Sequence, residues 1–195
     1  MSDKNRNQND EIWVHDFTEQ SAKSFRDQMM RAVREAPHPN HPIVVWIDSY
    51  GGYVDSLAVM IETIDEVPNP VYTVCIGKAM SCGAVLLSHG DERFCGQHSR
   101  VMIHEVSAGS GGDVHDFLND AKEAQRLNRH FMTLLAKNCG IKDGYKGLRK
   151  IIKQHDGREL WMDAKRAKRF GIVDFVGTPV IEAQIVYATA AYKRI

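Results

Sequence analysis

Two side chains and a pair of glycines in this chain are of types that could carry out chemistry together. Ser81 lies in the run Gly77 to Ser88, Gly-Lys-Ala-Met-Ser-Cys-Gly-Ala-Val-Leu-Leu-Ser, where an apolar strand gives way to a helix of small residues. A hydroxyl at such a junction faces a cleft and the unpaired amides of the helix's first turn, which favour developing negative charge. That points to a nucleophile, although serine at a helix start is also a favoured cap. His104 closes the apolar run Ser99 to Ile103. It reads either as a structural hydrogen-bonding residue or as the base that takes the serine proton and returns it to the leaving group. Gly51-Gly52 follows Asp48-Ser49-Tyr50 at the end of another apolar run. Adjacent glycines let the backbone approach a ligand and aim amides into a cleft, or simply make a tight turn.

The elements that must position these residues are read from periodicity. Ile12-Trp13-Val14 reads as a short strand, and Thr18 to Glu35 as a helix capped by Thr18 with Phe25, Met29, Ala32 and Val33 on one face. The prolines at 37, 39 and 42 end it; His38 and His41 in that stretch have no third ligand nearby and read as a surface loop. Ile43 to Ile47 is a strand covered on both faces, Val54 to Val67 a helix, and Val71 to Ile76 the next strand, with Pro68-Asn69-Pro70 as the break. This alternation implies right-handed crossovers between parallel strands of an α/β fold. Gly51-Gly52, Ser81 and His104 then emerge at one edge of the sheet, where ligands bind in open parallel folds. Further along, Asp113 to Cys139 reads as one long amphipathic helix, through Phe117, Ala121, Ala124, Leu127, Phe131, Leu134 and Leu135. Residues 141 to 158 are basic and read as a solvated face, and Asp163 caps a helix from Ala164 to Phe170.

Composition narrows the classes. The 195 residues are 43% hydrophobic, enough for a single domain from residue 12 onward behind a polar, mobile segment 1–11. Lys plus Arg and Asp plus Glu are both 25, so no basic field argues for nucleic acid as partner. There is no apolar run long enough to span a bilayer and no apolar core near Met1, which predicts a cytoplasmic protein. Cys75, Cys82, Cys95 and Cys139 lack Cys-x-x-Cys spacing and are expected to be reduced and buried, binding no metal. No cofactor is expected.

Three motifs in order, Ile47-Asp48-Ser49-Tyr50-Gly51-Gly52, Gly77-Lys78-Ala79-Met80-Ser81-Cys82-Gly83-Ala84 and Arg100-Val101-Met102-Ile103-His104, resemble those of the Clp protease proteolytic subunit, the ClpP family. The similarity spans roughly residues 12 to 176. It implies a crotonase-like fold of repeated β-β-α units with a long projecting handle helix, about 113–139. It also implies stacked heptameric rings around a chamber, possibly served by an AAA+ unfoldase, in which polypeptide is hydrolysed without ATP being needed for the bond cleavage. Carried over by position, Ser81 is the nucleophile, His104 the general base, and the backbone amides of Gly51 and Cys82 the oxyanion hole. Counting back from Gly171-Ile172-Val173-Asp174 puts Glu159 where the family has its aspartate, with Asp156 three residues earlier; either carboxylate suits the third role. Glu105-Val106-Ser107 departs from the family's glutamine and proline and places an anion beside the imidazole. Two other readings stand beside the peptidase: a catalytically silent ring or scaffold subunit, and a crotonase-like acyl-CoA enzyme, since that fold also pairs backbone amides into an oxyanion hole.

Overall fold

A ten-residue strand that changes neighbours halfway along organises the molecule. The computed structural model describes residues 11–107, 109, 111–155 and 158–180. Expectations for the segment before residue 11 and for Asp156 lie outside them. In chain order the elements are β1 (Ile12–Val14), α1 (Glu19–Glu35), β2 (Ile43–Ser49), α2 (Val54–Glu66), β3 (Val71–Met80), α3 (Cys82–Leu87), β4 (Glu92–Cys95) and β5 (Arg100–His104). There follow α4 (Val114–Asn138), α5 (Gly144–Gln154), β6 (Glu159–Asp163), α6 (Ala164–Phe170) and β7 (Phe175–Val176). Strands β1, β2, β3, β4 and β7 run parallel in that order. The first half of β3 pairs with β4 at Tyr72 to Cys75, and its second half with β5 at Lys78 to Met80.

The strand expected to stop at Ile76 therefore continues for four more residues. Gly77 makes this feasible: at φ +80 it turns the strand toward β5, and a Cβ there would sit 2.9 Å from Asp48 Oδ1. Lys78 is accommodated there by an ion pair with Asp48 at 2.6 Å and by the Tyr50 ring 4.4 Å beneath its ammonium. The chain thus keeps β3 paired until Ser81.

Helix α1 begins where expected, with Thr18 Oγ1 accepting from the Ser21 amide and Ser21 Oγ accepting from the Thr18 amide in a reciprocal capping box. The main core packs the helices onto one face of the sheet, around Phe25, Met29, Leu57, Met60, Leu86 and Leu135. Among the described residues, the other face carries only a small cluster of Val44, Val74 and Phe94 flanked by Trp46, Tyr72 and Ile76. The long helix α4 buries side chains only between Phe131 and Ala136, while Val114, Phe117 and Leu118 near its start are exposed. Its 25 residues span about 37 Å, so the first half stands clear of the core. The basic stretch folds into α5, which buries Leu148 and Ile152 one turn apart and turns Lys146, Arg149, Lys150 and Lys153 outward. No helix among the described residues is long and apolar enough to cross a membrane.

An ion pair ties the ends of this core together. Arg93 on β4 meets both oxygens of Asp174, at 2.6 and 2.8 Å, and its other amino group donates to the carbonyl of Asn138 at the end of α4. The Arg93 guanidinium holds the Asp174 carboxyl below its usual range, chiefly by hydrogen bonding. Hydrogen bonds to a charged group contribute about 1.5–3 kcal/mol, and partial exposure places this pair toward the lower end. Asp174→Ala is expected to lower unfolding stability by about 1–2 kcal/mol at pH 7. Because the folded pKa is depressed, that contribution is present above the unfolded value of about 3.9 and is lost as pH falls through the folded value. Denaturant titrations of the two proteins should show a constant gap down to about pH 4 that closes below it.

Candidate active site

The ends of β2, β3 and β5 deliver the glycine pair, the serine and the histidine to one rim. Ser81 sits between β3 and α3 with φ +54 and ψ −120, a backbone conformation that non-glycine residues rarely adopt. Two contacts hold it there: its amide donates to the Met102 carbonyl on β5 at 2.9 Å, and its carbonyl accepts from Ala84 and Val85 in the first turn of α3. The alternative sequence reading of Ser81 as a capping side chain is not met, since its hydroxyl makes no cap hydrogen bond.

Ser81, Cys82, Gly52 and His104 line one hollow of about 50 Å³, whose remaining wall is apolar apart from Ser107 and includes Leu57, Val85, Ile103, Phe131 and Met132. The Cys82 thiol donates to the Gly52 carbonyl at 3.2 Å, which ties the glycine turn to the start of α3. Burial pushes that thiol's pKa up, so it stays a protonated donor. Gly51 packs behind Ser81: a Cβ on it would lie 2.7 Å from the Ser81 Cβ and 3.2 Å from the Cys82 amide nitrogen. The Gly51 amide itself donates to the buried Ser49 Oγ at 3.0 Å. Of the two glycines, it is Gly52 that lines the hollow.

The imidazole is held from its Nδ1 side. Nδ1 of His104 is 2.5 Å from the backbone carbonyl of Glu105. A carbonyl oxygen only accepts, so Nδ1 carries the proton and Nε2 of the neutral ring keeps its lone pair. Glu159 lies directly opposite His104 in the antiparallel pairing of β5 with β6, a strand the sequence reading did not anticipate. Opposite residues of such a pair put their side chains on the same face. The Glu159 carboxylate, however, accepts from the Trp161 indole at 2.9 Å. The anion expected beside the imidazole is likewise engaged elsewhere: Glu105 Oε1 takes the Tyr145 hydroxyl at 3.1 Å and Arg149 Nε at 3.2 Å. His104, Glu105, Arg149, Lys153, Arg158 and Glu159 border a second hollow of about 290 Å³.

The four cysteines are free; Cys75, Cys82 and Cys95 are buried and Cys139 half-buried. A family model described as Clp protease matches residues 8–180 of the chain.

Proposed function

The chain belongs to the Clp protease family, and from that premise we propose that it is a serine endopeptidase with Ser81 as nucleophile and His104 as general base. The observation that carries the reading is the pairing of a serine at φ +54 on a strand-to-helix turn with a histidine whose Nδ1 is occupied by a carbonyl, both lining one hollow. A strained turn presents a hydroxyl at a cleft, and a ring committed at Nδ1 leaves Nε2 to accept its proton.

The chemistry follows in two halves. Ser81 Oγ attacks a peptide carbonyl as His104 Nε2 takes its proton, and the proton then passes to the leaving amine, giving an acyl-enzyme. Water then attacks the acyl carbonyl as the same nitrogen takes its proton, and that proton passes to Ser81 Oγ as the ester bond breaks, releasing the acid and restoring the free serine. The oxyanion of each tetrahedral intermediate falls at the start of α3, where the Cys82 amide is the first donor. The second donor comes from the glycine turn. Gly51 supplies it by leaving Ser49 Oγ; Gly52, which lines the hollow, is the alternative source. Glu159 stands in register with His104 as the acidic third member, its charge available to the imidazolium that forms in both halves. The apolar wall of the hollow favours an uncharged substrate side chain beside the cleaved bond. Polypeptide substrate, heptameric rings stacked on one another through the projecting half of α4, and feeding by an AAA+ unfoldase belong to the same proposal, as does a cytoplasmic location.

One observation favours a silent ring subunit instead: the Glu159 carboxylate is bonded to Trp161. A fluorophosphonate probe separates the two readings. The expected result is a single adduct, mapped by mass to Ser81 and absent from Ser81→Ala. A ring-sized oligomer that takes no adduct would establish the scaffold.

A further inference from the structure

The segment just after His104 is clamped by side chains from two helices remote in sequence. Strand β5 ends at His104, and the next two residues leave the sheet. The Val106 amide donates to Asn128 Oδ1 on α4 at 2.9 Å. Asn128 Nδ2 donates to the Tyr145 hydroxyl on α5 at 3.0 Å, and that hydroxyl donates to Glu105 Oε1 at 3.1 Å. The path returns to the backbone one residue from where it started, and Arg149, one turn along α5 from Tyr145, closes on the same Glu105 oxygen at 3.2 Å. Each group is used in keeping with its chemistry: the phenol accepts once and donates once, and the amide uses both its ends. Burial first, and the Glu105 carboxylate next, push the Tyr145 phenol up, which keeps it a donor.

Between the two anchored points, the Glu105 side chain and the Val106 amide, lies the Glu105 carbonyl that receives His104 Nδ1. Resting on the peptidase reading above, we infer that Glu105 is the positioning residue of this site: through its carbonyl, fixed by the Asn128–Tyr145–Arg149 clamp, it sets the tautomer and orientation of His104. Orientation is then separate from charge. Glu159, bonded to Trp161, contributes at most electrostatic stabilisation of the imidazolium and does not hold the ring.

The consequence runs against what a side-chain triad requires. Where a carboxylate fixes the imidazole, its amide replacement leaves the wrong tautomer and costs about 10⁴-fold in kcat. Here Glu159→Gln is expected to lose less than about tenfold, because Nδ1 remains on the Glu105 carbonyl. Glu105→Ala frees the carbonyl and is expected to lose about 10²-fold in kcat with KM within twofold, the effect of a displacement of roughly an ångström. Tyr145→Phe opens the circuit and is expected to cost about tenfold, again in kcat. Glu105→Gln keeps an oxygen for Tyr145 and Arg149 and should restore kcat to within about threefold of the parent, which a loss of folding or charge alone would not predict.

The experiment measures kcat and KM with a fluorogenic peptide, together with the rate of fluorophosphonate labelling at Ser81, on ring-sized oligomers of all five proteins. The inference stands if kcat and labelling fall together in Glu105→Ala, recover in Glu105→Gln and are largely kept in Glu159→Gln. A labelled parent whose Glu159→Gln loses 10³-fold or more, or whose Glu105→Ala and Tyr145→Phe match it, overturns the inference and leaves the peptidase reading intact. If Glu105→Ala does not assemble, Tyr145→Phe decides by the same comparison. An unlabelled, inactive parent overturns both.

Discussion

Ser81→Ala is expected to lower kcat by roughly 10⁶-fold, about 8 kcal/mol of transition-state stabilisation, while KM stays within about twofold. His104→Ala should lose nearly as much, and the double variant no more than either alone. The non-additivity carries the argument. If the serine and histidine act as one unit, removing either disables the proton transfer and the attack together, so nothing remains for the second substitution to remove. A residual rate of about 10³-fold over the uncatalysed reaction would persist, since the Cys82 amide and the glycine turn are backbone groups that neither substitution touches. The shared apolar hollow also remains, which is why KM is expected to hold. Turnover of a fluorogenic peptide by the four proteins, each at matched ring concentration, makes the comparison. Additive losses would mean that His104 does not act through Ser81, and a fully active Ser81→Ala would remove the serine from the chemistry.

The parts of this site that could be read from the chain are those that depend on neighbours in sequence. Thr18 before a helical period announces a cap, and the apolar runs ending at Ile47 and Ile103 announce strands that stop at a rim. Gly171 ends α6 in the left-handed conformation, as a glycine after a helix is expected to. What stayed hidden depends on pairings between distant segments. The extension of β3 past Gly77 is stabilised by Asp48, 30 residues away, and by a second partner strand that takes over where β4 stops. Strand β6 did carry a local signal, because Leu160 and Met162 alternate with exposed Glu159, Trp161 and Asp163. That period of two is short and runs directly into the helix capped by Asp163, which masks it. The clamp on Glu105 has no local signature at all: it joins residues 105, 106, 128, 145 and 149, and only the packing of α5 against α4 brings them within hydrogen-bond distance. The glutamate's position in the chain predicts an anion beside the imidazole, whereas its effect is decided by the arginine and tyrosine that meet it.

Gly51→Ala is expected to reduce kcat by about 10²- to 10³-fold in protein that still folds. Two independent strains meet at this position. The backbone is at φ +103, where an L side chain costs roughly 1–3 kcal/mol, and the new Cβ would lie 2.7 Å from the Ser81 Cβ and 3.0 Å from the Met80 carbonyl. Neither neighbour is the free end of a flexible side chain, so the relief must come from movement of the strand-to-helix turn itself. That turn holds the nucleophile at φ +54 and begins the helix whose first amide receives the oxyanion. A shift of even a few tenths of an ångström therefore misaligns attack and charge stabilisation together. Gly171→Ala separates this effect from simple destabilisation. Gly171 is at φ +87 and a Cβ there would meet the Cys139 carbonyl at 2.6 Å, so the strain is similar, but it lies at the far end of α6 and touches nothing in the site. Both variants should unfold at lower denaturant than the parent, by about 1–3 kcal/mol, yet per mole of folded ring only Gly51→Ala should lose turnover and probe labelling. Equal kcat in the two would mean that the glycine turn supports the fold alone and that the second oxyanion donor comes from elsewhere.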